Sequence, residues 1–329
     1  MPARIGRSWL LLTIVVLASL LSTAGAEELG PAPEGSFSIV VLPDTQTYSA
    51  QKPEIFHAET QWIVDNLQRQ RIRFVSHVGD VVDRNVVEQW QVARAAMDRL
   101  HGVIPYGLSV GNHDMVCTTG DCSLFERFFP ASRFREFAWY GGSHKNNVGS
   151  FQLFSAEGLD FVIVHLACNA PDDALDWANR VLDEHASRRA IVTTHMYLGP
   201  LHRPKTSRGW YDDPKGRMQW KKCHGEQGNT PQEMWEKCFS KHENLFLICC
   251  GDQSRTQTMH RTVEGAGNRP VHEVLCDYHE GSLRVYRFLP DDDLIEAWTY
   301  RPHEGELTRE TRIVTDPDEH QFTLPYEMP

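Results

Sequence analysis

Residues 73–84 read RFVSHVGDVVDR: an apolar run of strand length breaks at Gly79 into Asp80, Val81, Val82, Asp83 and Arg84. A run of this kind followed by a glycine and acids predicts a strand ending on an edge where polar side chains collect. The same grammar recurs on both sides. Residues 37–46, FSIVVLPDTQ, are a run of strand length over 37–42 that ends in Asp44, Thr45 and Gln46, and residues 104–114, IPYGLSVGNHD, one over 104–110 that ends in Gly111, Asn112, His113 and Asp114. Between these runs the period changes. Residues 54–70 place Ile55, Ala58, Trp62, Ile63 and Leu67 on one helical face, and residues 86–100 repeat the spacing with Trp90, Ala93 and Met97. The order is βαβαβ, which predicts parallel strands whose ends share one edge.

The alternation continues outward. Residues 150–154 and 161–166 are expected to form paired strands, 172–185 a helix, and 191–195 and 245–250 further strands. Residues 271–275, 283–288 and 294–299 close an α/β layered domain. Residues 199–243 break the pattern with Pro, Gly, Lys, Trp and His, too long for an ordinary connection, and predict an excursion over the active face. Within it His202, Trp210, Tyr211 and Trp220, with Tyr197 just before it, either line a pocket or pack the loop, and packing is the favoured reading.

Residues 1–26 differ in kind: Arg4 and Arg7 precede an uncharged, largely apolar run from 9 to 21, then Ala24, Gly25 and Ala26. This predicts a cleaved signal peptide and a secreted or periplasmic protein. The run is short against the roughly 20 residues that span a bilayer, so no stable membrane span is expected after cleavage. Residues 27–36 then read as a linker and 37–329 as one domain carrying the 199–243 insertion. The chain has 33 basic and 44 acidic residues, a net charge of -11 that becomes more negative without Arg4 and Arg7. Long nucleic acid is therefore not an expected partner.

All eight cysteines follow residue 26, an even number in a compartment where disulfides persist. Spacing alone favours Cys117 with Cys122 and Cys223 with Cys238, with other pairings open. Cys223, His224, Cys238 and His242 also have the look of a zinc site, for which a disulfide is the preferred alternative. His77 and His165, inside strands, read as core or supporting residues rather than ligands.

Four polar clusters thus follow apolar runs: 44–46, 79–84, 111–114, and His195 after residues 191–194. Singly, each is the signature of a turn or helix cap. Converging on one sheet edge, they supply the carboxylates, amide and imidazoles that two cations about 3.5 to 4 Å apart require.

In this order the clusters resemble the calcineurin-like metallophosphoesterases, whose motifs run Asp-x-His, Gly-Asp-x-x-Asp-Arg, Gly-Asn-His-Asp/Glu, His and Gly-His-x-His. The resemblance covers roughly residues 37–300, and the second and third motifs match letter for letter. It implies a two-sheet αββα sandwich and one or two divalent metal ions. It further implies that Asp80 bridges the metals, Asp44 binds the first, and Asn112 with His195 binds the second. His113 would protonate the leaving oxygen or hold the phosphate. Asp83 would orient His113, with Asp114 also supporting the ring, and Arg84 would pair with phosphate oxygens.

Two departures bear on the metals. Gln46 stands where the family most often has His, and Gly251-Asp252-Gln253-Ser254 stands where Gly-His-x-His is expected. Asp252 can replace the first of those histidines as an oxygen ligand, whereas Ser254 is a poor replacement for the second. Both weak substitutions fall on the first metal, so a strong second site and a weak or empty first one are expected. The oxygen-rich set favours manganese, magnesium or calcium over zinc, with iron also compatible.

The reading that follows is a hydrolase of phosphate mono- or diesters of small or medium size, working by attack of metal-activated water. No Ser or Cys nucleophile elbow and no Gly-rich phosphate loop with a following Lys is present. The alternative is a catalytically impaired metal-binding scaffold that binds a phosphorylated ligand.

Overall fold

The structure is a computed structural model and describes residues 27–328. The expected signal peptide lies outside the described residues. Two seven-stranded sheets face each other. The first sheet begins with β1 (Phe37–Leu42), β2 (Ile72–His77) and β3 (Tyr106–Leu108), parallel neighbours in that order. The connections are α1 (Gln46–Gln51) with α2 (Pro53–Asp65), and α3 (Val87–Met97). After α4 (Ser123–Phe128) and α5 (Ala131–Phe134), the second sheet takes up β4 (Tyr140–His144), β5 (Gly149–Ala156), β6 (Leu159–His165) and β7 (Arg189–Met196). Helix α6 (Asp172–Glu184) joins β6 to β7, which are parallel.

The excursion holds a small two-stranded sheet, β8 (Leu198–Pro200) with β9 (Lys215–Arg217), and the short helices α7 (Gly209–Asp212) and α8 (Pro231–Lys237). Then β10 (Leu245–Gly251), β11 (Thr258–Glu264) and β12 (Pro270–Cys276) complete the second sheet, with β10 parallel to both β7 and β12. The chain returns to the first sheet through β13 (Leu283–Leu289), β14 (Leu294–Arg301), β15 (Glu306–Leu307) and β16 (Gln321–Pro325).

Period-2 alternation divides each strand between two cores. On β1, Val40 and Leu42 point outward to a cluster with Phe56 and Ile63 of α2 and Trp90, Ala93 and Met97 of α3. Phe37, Ile39 and Val41 point inward, between the sheets, to meet Phe154, Phe161, Ile191, Leu247 and Val274. The outer face of the second sheet packs Leu175, Ala178 and Leu182 of α6 and Met234 and Trp235 of α8. Helix, sheet, sheet, helix is the αββα sandwich that the resemblance implied. Each fully buried Leu, Ile or Phe in these layers contributes about 1.5–3 kcal/mol. At the end where β1 starts, aromatic rings bind the two sheets together. Phe37 stacks on Phe288 at 4.6 Å and meets Phe161 edge-on at 5.5 Å, while Phe246 stacks on Tyr326 at 3.9 Å.

Residues 27–36, read as a linker, lie against this body: Leu29 is buried, and the Gly30 carbonyl accepts hydrogen bonds from Gln70 and Arg287. The cysteine pairs favoured by spacing do not meet. The Cys223 Sγ sits 2.7 Å from Cys117 Sγ, whereas Cys238 is buried in the α6–α8 core and the Cys122 thiol points at the Gly120 carbonyl. The zinc arrangement is likewise absent among the described residues: His224 bonds the Cys168 carbonyl and His242 faces Asn179 and Asp183. Sequence spacing missed that the excursion folds back onto residues 111–122 instead of closing on itself.

Candidate metal centre

Parallel pairing puts the ends of β1, β2 and β3 in register, Leu42 beside His77 and His77 beside Leu108. Asp44, Asp80 and Asn112 each follow one of those ends within a few residues. From the facing sheet come His195, near the end of β7, and Asp252, just past β10. The backbone is bent to make this meeting. Asp80 and Asp252 both adopt left-handed φ, at 49° and 71°. That conformation costs a non-glycine residue on the order of 1 kcal/mol or more and recurs at functional sites. Gly111 is required by proximity: a Cβ there would lie 2.1 Å from Asp80 Oδ1.

Asp80 is the hub. Its Oδ1 accepts the backbone N–H of His113 at 2.8 Å, its Oδ2 accepts Gln46 Nε2 at 3.2 Å, and His195 Nε2 stands 3.1 Å from Oδ2, off the line of a hydrogen bond. Burial pushes the Asp80 carboxyl up, but the charge and contact of His195 and the His113 backbone N–H outweigh it and hold the group below the usual range. His195 is the converse. Burial pushes its imidazole down, and Asp80, Asp44 and Asp252 raise it well above normal. Its Nδ1 bonds the Val78 carbonyl at 3.1 Å, which leaves Nε2 facing the carboxylates. Asp44 is fully buried, and burial followed by the charge of Asp277 drives its carboxyl well above the ordinary range.

The ligand atoms of Asp44, Asp80 and His195 all lie within 4.8 Å of one another. Asp44 Oδ1, Asn112 Oδ1 and His195 Nε2 are buried without a hydrogen-bond partner. Buried polar atoms are nearly always satisfied, and leaving one unpaired costs about 1–3 kcal/mol. A divalent cation among Asp44, Asp80 and His195 would satisfy the Asp44 and His195 atoms, so the residues present fit one.

Other expected residues fall into place differently. His113 Nδ1 lies 2.5 Å from the backbone carbonyl of Asp83, while the Asp83 carboxylate is 3.9 Å away. The ring is thus oriented by the main chain rather than by the acid. Asp114 does not touch the His113 ring: its oxygens accept the N–H groups of Val82 and Gly111, tying the two loops together. Burial and the charge of Asp80 raise Asp114 to about 7. Arg84 is exposed. Asp252 reaches the site but is engaged by Lys222 Nζ at 3.3 Å and Gln253 Nε2 at 2.6 Å.

Lys222, delivered by the excursion, was not singled out from the sequence, nor were Asp277 and His279, which follow β12. A signal for the last two was available: an Asp-x-His directly after an apolar run. His77 and His165 are buried supports, bonded to Thr45 and Ser76, and burial pushes both imidazoles down to about 3. Tyr197 and Trp220 pack the excursion, with bonds to Glu273 and the Pro200 carbonyl.

The sequence profile of the calcineurin-like phosphoesterases matches residues 37–225, more than half of the chain. The chain belongs to this family, and its described residues include a carboxylate–imidazole cluster that could hold a metal ion. It is similar to the uncharacterised protein YvnB of Bacillus subtilis (strain 168), 29% identical over 300 residues, covering 88% of this chain but 21% of YvnB. Solved structures with some likeness include GAP50, the anchor in the inner membrane complex of Plasmodium, at TM-score 0.47 and 12% identity, covering 89% of each chain. The 5'-nucleotidase precursor of Thermus thermophilus gives TM-score 0.45 and 14% identity over 89% of this chain and 54% of that one.

Proposed function

We propose that the protein hydrolyses phosphate mono- or diesters of small or medium size by direct attack of water, with Asp80 central to the metal site. The observation that carries this is the convergence of unpartnered, buried Asp44 and His195 atoms on Asp80, whose carboxylate also accepts the His113 backbone N–H. Divalent cations held by Asp44, Asp80, Asn112 and His195 would supply the positive charge that lowers the pKa of water and withdraws charge from phosphate. Asp252 and Gln46 border that set.

The chain's own groups do the rest. Asn112 and the exposed Arg84 bind and orient phosphate oxygens, and Lys222 adds a cation from the excursion. With Nδ1 of His113 donating to the Asp83 carbonyl, Nε2 is the atom that passes a proton to the leaving oxygen as its bond to phosphorus breaks. Asp83 serves through its backbone. We extend the proposal to an exported enzyme, on the character of residues 1–26.

The test is hydrolysis of aryl and alkyl mono- and diesters with manganese, magnesium, calcium or zinc. Asp80→Ala should abolish turnover. His113→Gln should lower kcat about 10²–10⁴-fold for alkyl esters and far less for p-nitrophenyl esters, whose leaving group needs no proton. Metal binding without turnover of any ester would overturn the hydrolase reading in favour of a binding scaffold.

A further inference from the structure

The two departures from the family pattern, Gln46 and Ser254, leave one cation position short of ligands. The structure offers substitutes one strand over. Strands β10 and β12 are parallel neighbours, so the end of β12 opens on the same edge as Gly251 and Asp252. There the chain reads Asp277-Tyr278-His279. Asp277 follows the last residue of the strand and His279 opens the turn after it.

Ligand atoms of Asp44, Asp277 and His279 lie within 4.8 Å of one another. Asp277 is 1% exposed, yet neither of its oxygens has a hydrogen-bond partner, and the same holds for His279 Nε2 and Asp44 Oδ1. His279 Nε2 is 3.3 Å from Asp277 Oδ1 without hydrogen-bond geometry. Four buried polar atoms facing one another unsatisfied are the environment a cation completes. The segment is also held in place. Tyr48, two residues along α1 from Gln46, donates through its hydroxyl to the Tyr278 carbonyl at 2.5 Å and accepts the Gly281 N–H at 2.7 Å.

We propose that Asp44, Asp277 and His279 form a second divalent-cation site, with the Asp-x-His after β12 taking over from the histidine that Ser254 replaces. The inference rests on the phosphoesterase reading and deepens it: the first metal position is rebuilt, not lost. Asp44 belongs to both ligand groups, so the two cations would be neighbours. Two carboxylates and one imidazole suit manganese, which serves as the probe. Tyr48 is a positioning residue for this site.

Manganese is counted per chain after equilibration with Mn²⁺ and gel filtration, alongside its electron paramagnetic resonance spectrum, for the full-length protein and for Asp277→Asn and His279→Gln. The expected result is about two ions per chain with a spin-coupled signal. Either variant should fall to about one ion with the uncoupled six-line signal, and that remaining ion reports an intact fold. If Asp277→Asn does not fold, the partly exposed His279 carries the test. Two ions retained in folded variants overturn the proposal. So does a single ion in the parent that neither variant displaces, and in that case manganese-dependent ester hydrolysis would still stand. No ion and no hydrolysis overturn both.

Discussion

Glu59 sits on α2 with its side chain fully buried and neither carboxylate oxygen hydrogen-bonded. Burial drives its carboxyl well above the ordinary range. The sign follows from proton linkage. Folding takes up a proton between the unfolded value, about 4.3, and the higher folded value, so stability falls as pH rises through that interval. Glu59→Gln should lose no stability between pH 4 and neutrality where the parent does, so its advantage over the parent should grow as pH rises. Thermal midpoints across pH measure it, and parallel curves would refute it. The same contrast between charge and burial explains which site residues sequence could disclose. Asp44, Asp80, Asn112 and His195 stand out because polar residues interrupt apolar runs at strand ends. Asp277 and His279 carry that signal equally well, but Gly251 to Ser254 occupies the place of the family's last motif. Lys222 lies in a segment without periodicity, and only the fold shows that its ammonium turns inward.

At the scale of elements, strands buried on both faces were legible. β1 matches its expected bounds, and β2, β10, β12 and β13 appear within a residue or two, because each carries enough Val, Ile, Leu and Phe at strand length to be buried nearly throughout. Strands β4, Tyr-Gly-Gly-Ser-His, and β11, Thr-Met-His-Arg-Thr-Val-Glu, were not, since both lie at sheet edges with half-exposed residues. The 199–243 excursion attaches differently from what its cysteine spacing predicts. Cys223 meets Cys117 beyond the Gly111–Asp114 loop, and buried Cys168 lies beside Cys223. Under oxidising conditions, peptide mapping without reductant should therefore recover a Cys117–Cys223 crosslink. Recovery of Cys117–Cys122 or Cys223–Cys238 peptides would contradict the arrangement. Cys223→Ser should loosen the excursion, seen as faster proteolysis between residues 203 and 228.

For the whole molecule, the proposed ligands come from both sheets: Asp44, Asp80 and Asn112 follow strands of the first, His195, Asp252 and Asp277 lie in or follow strands of the second. A cation held between them ties the sheets as well as serving chemistry. At 100 times its dissociation constant it adds about 2.7 kcal/mol to the folded state, so a chelator should lower the thermal midpoint, and equal midpoints with and without chelator would exclude such a tie. The opposite end needs no ion, because the rings of Phe37, Phe161, Phe288, Phe246 and Tyr326 already join the layers there. The sandwich is thus a book with an aromatic spine and an ionic clasp. Stripped of metal, it should open from the clasp, with amide exchange quickening around Asp80 and His195 while Phe37 and Phe161 stay protected.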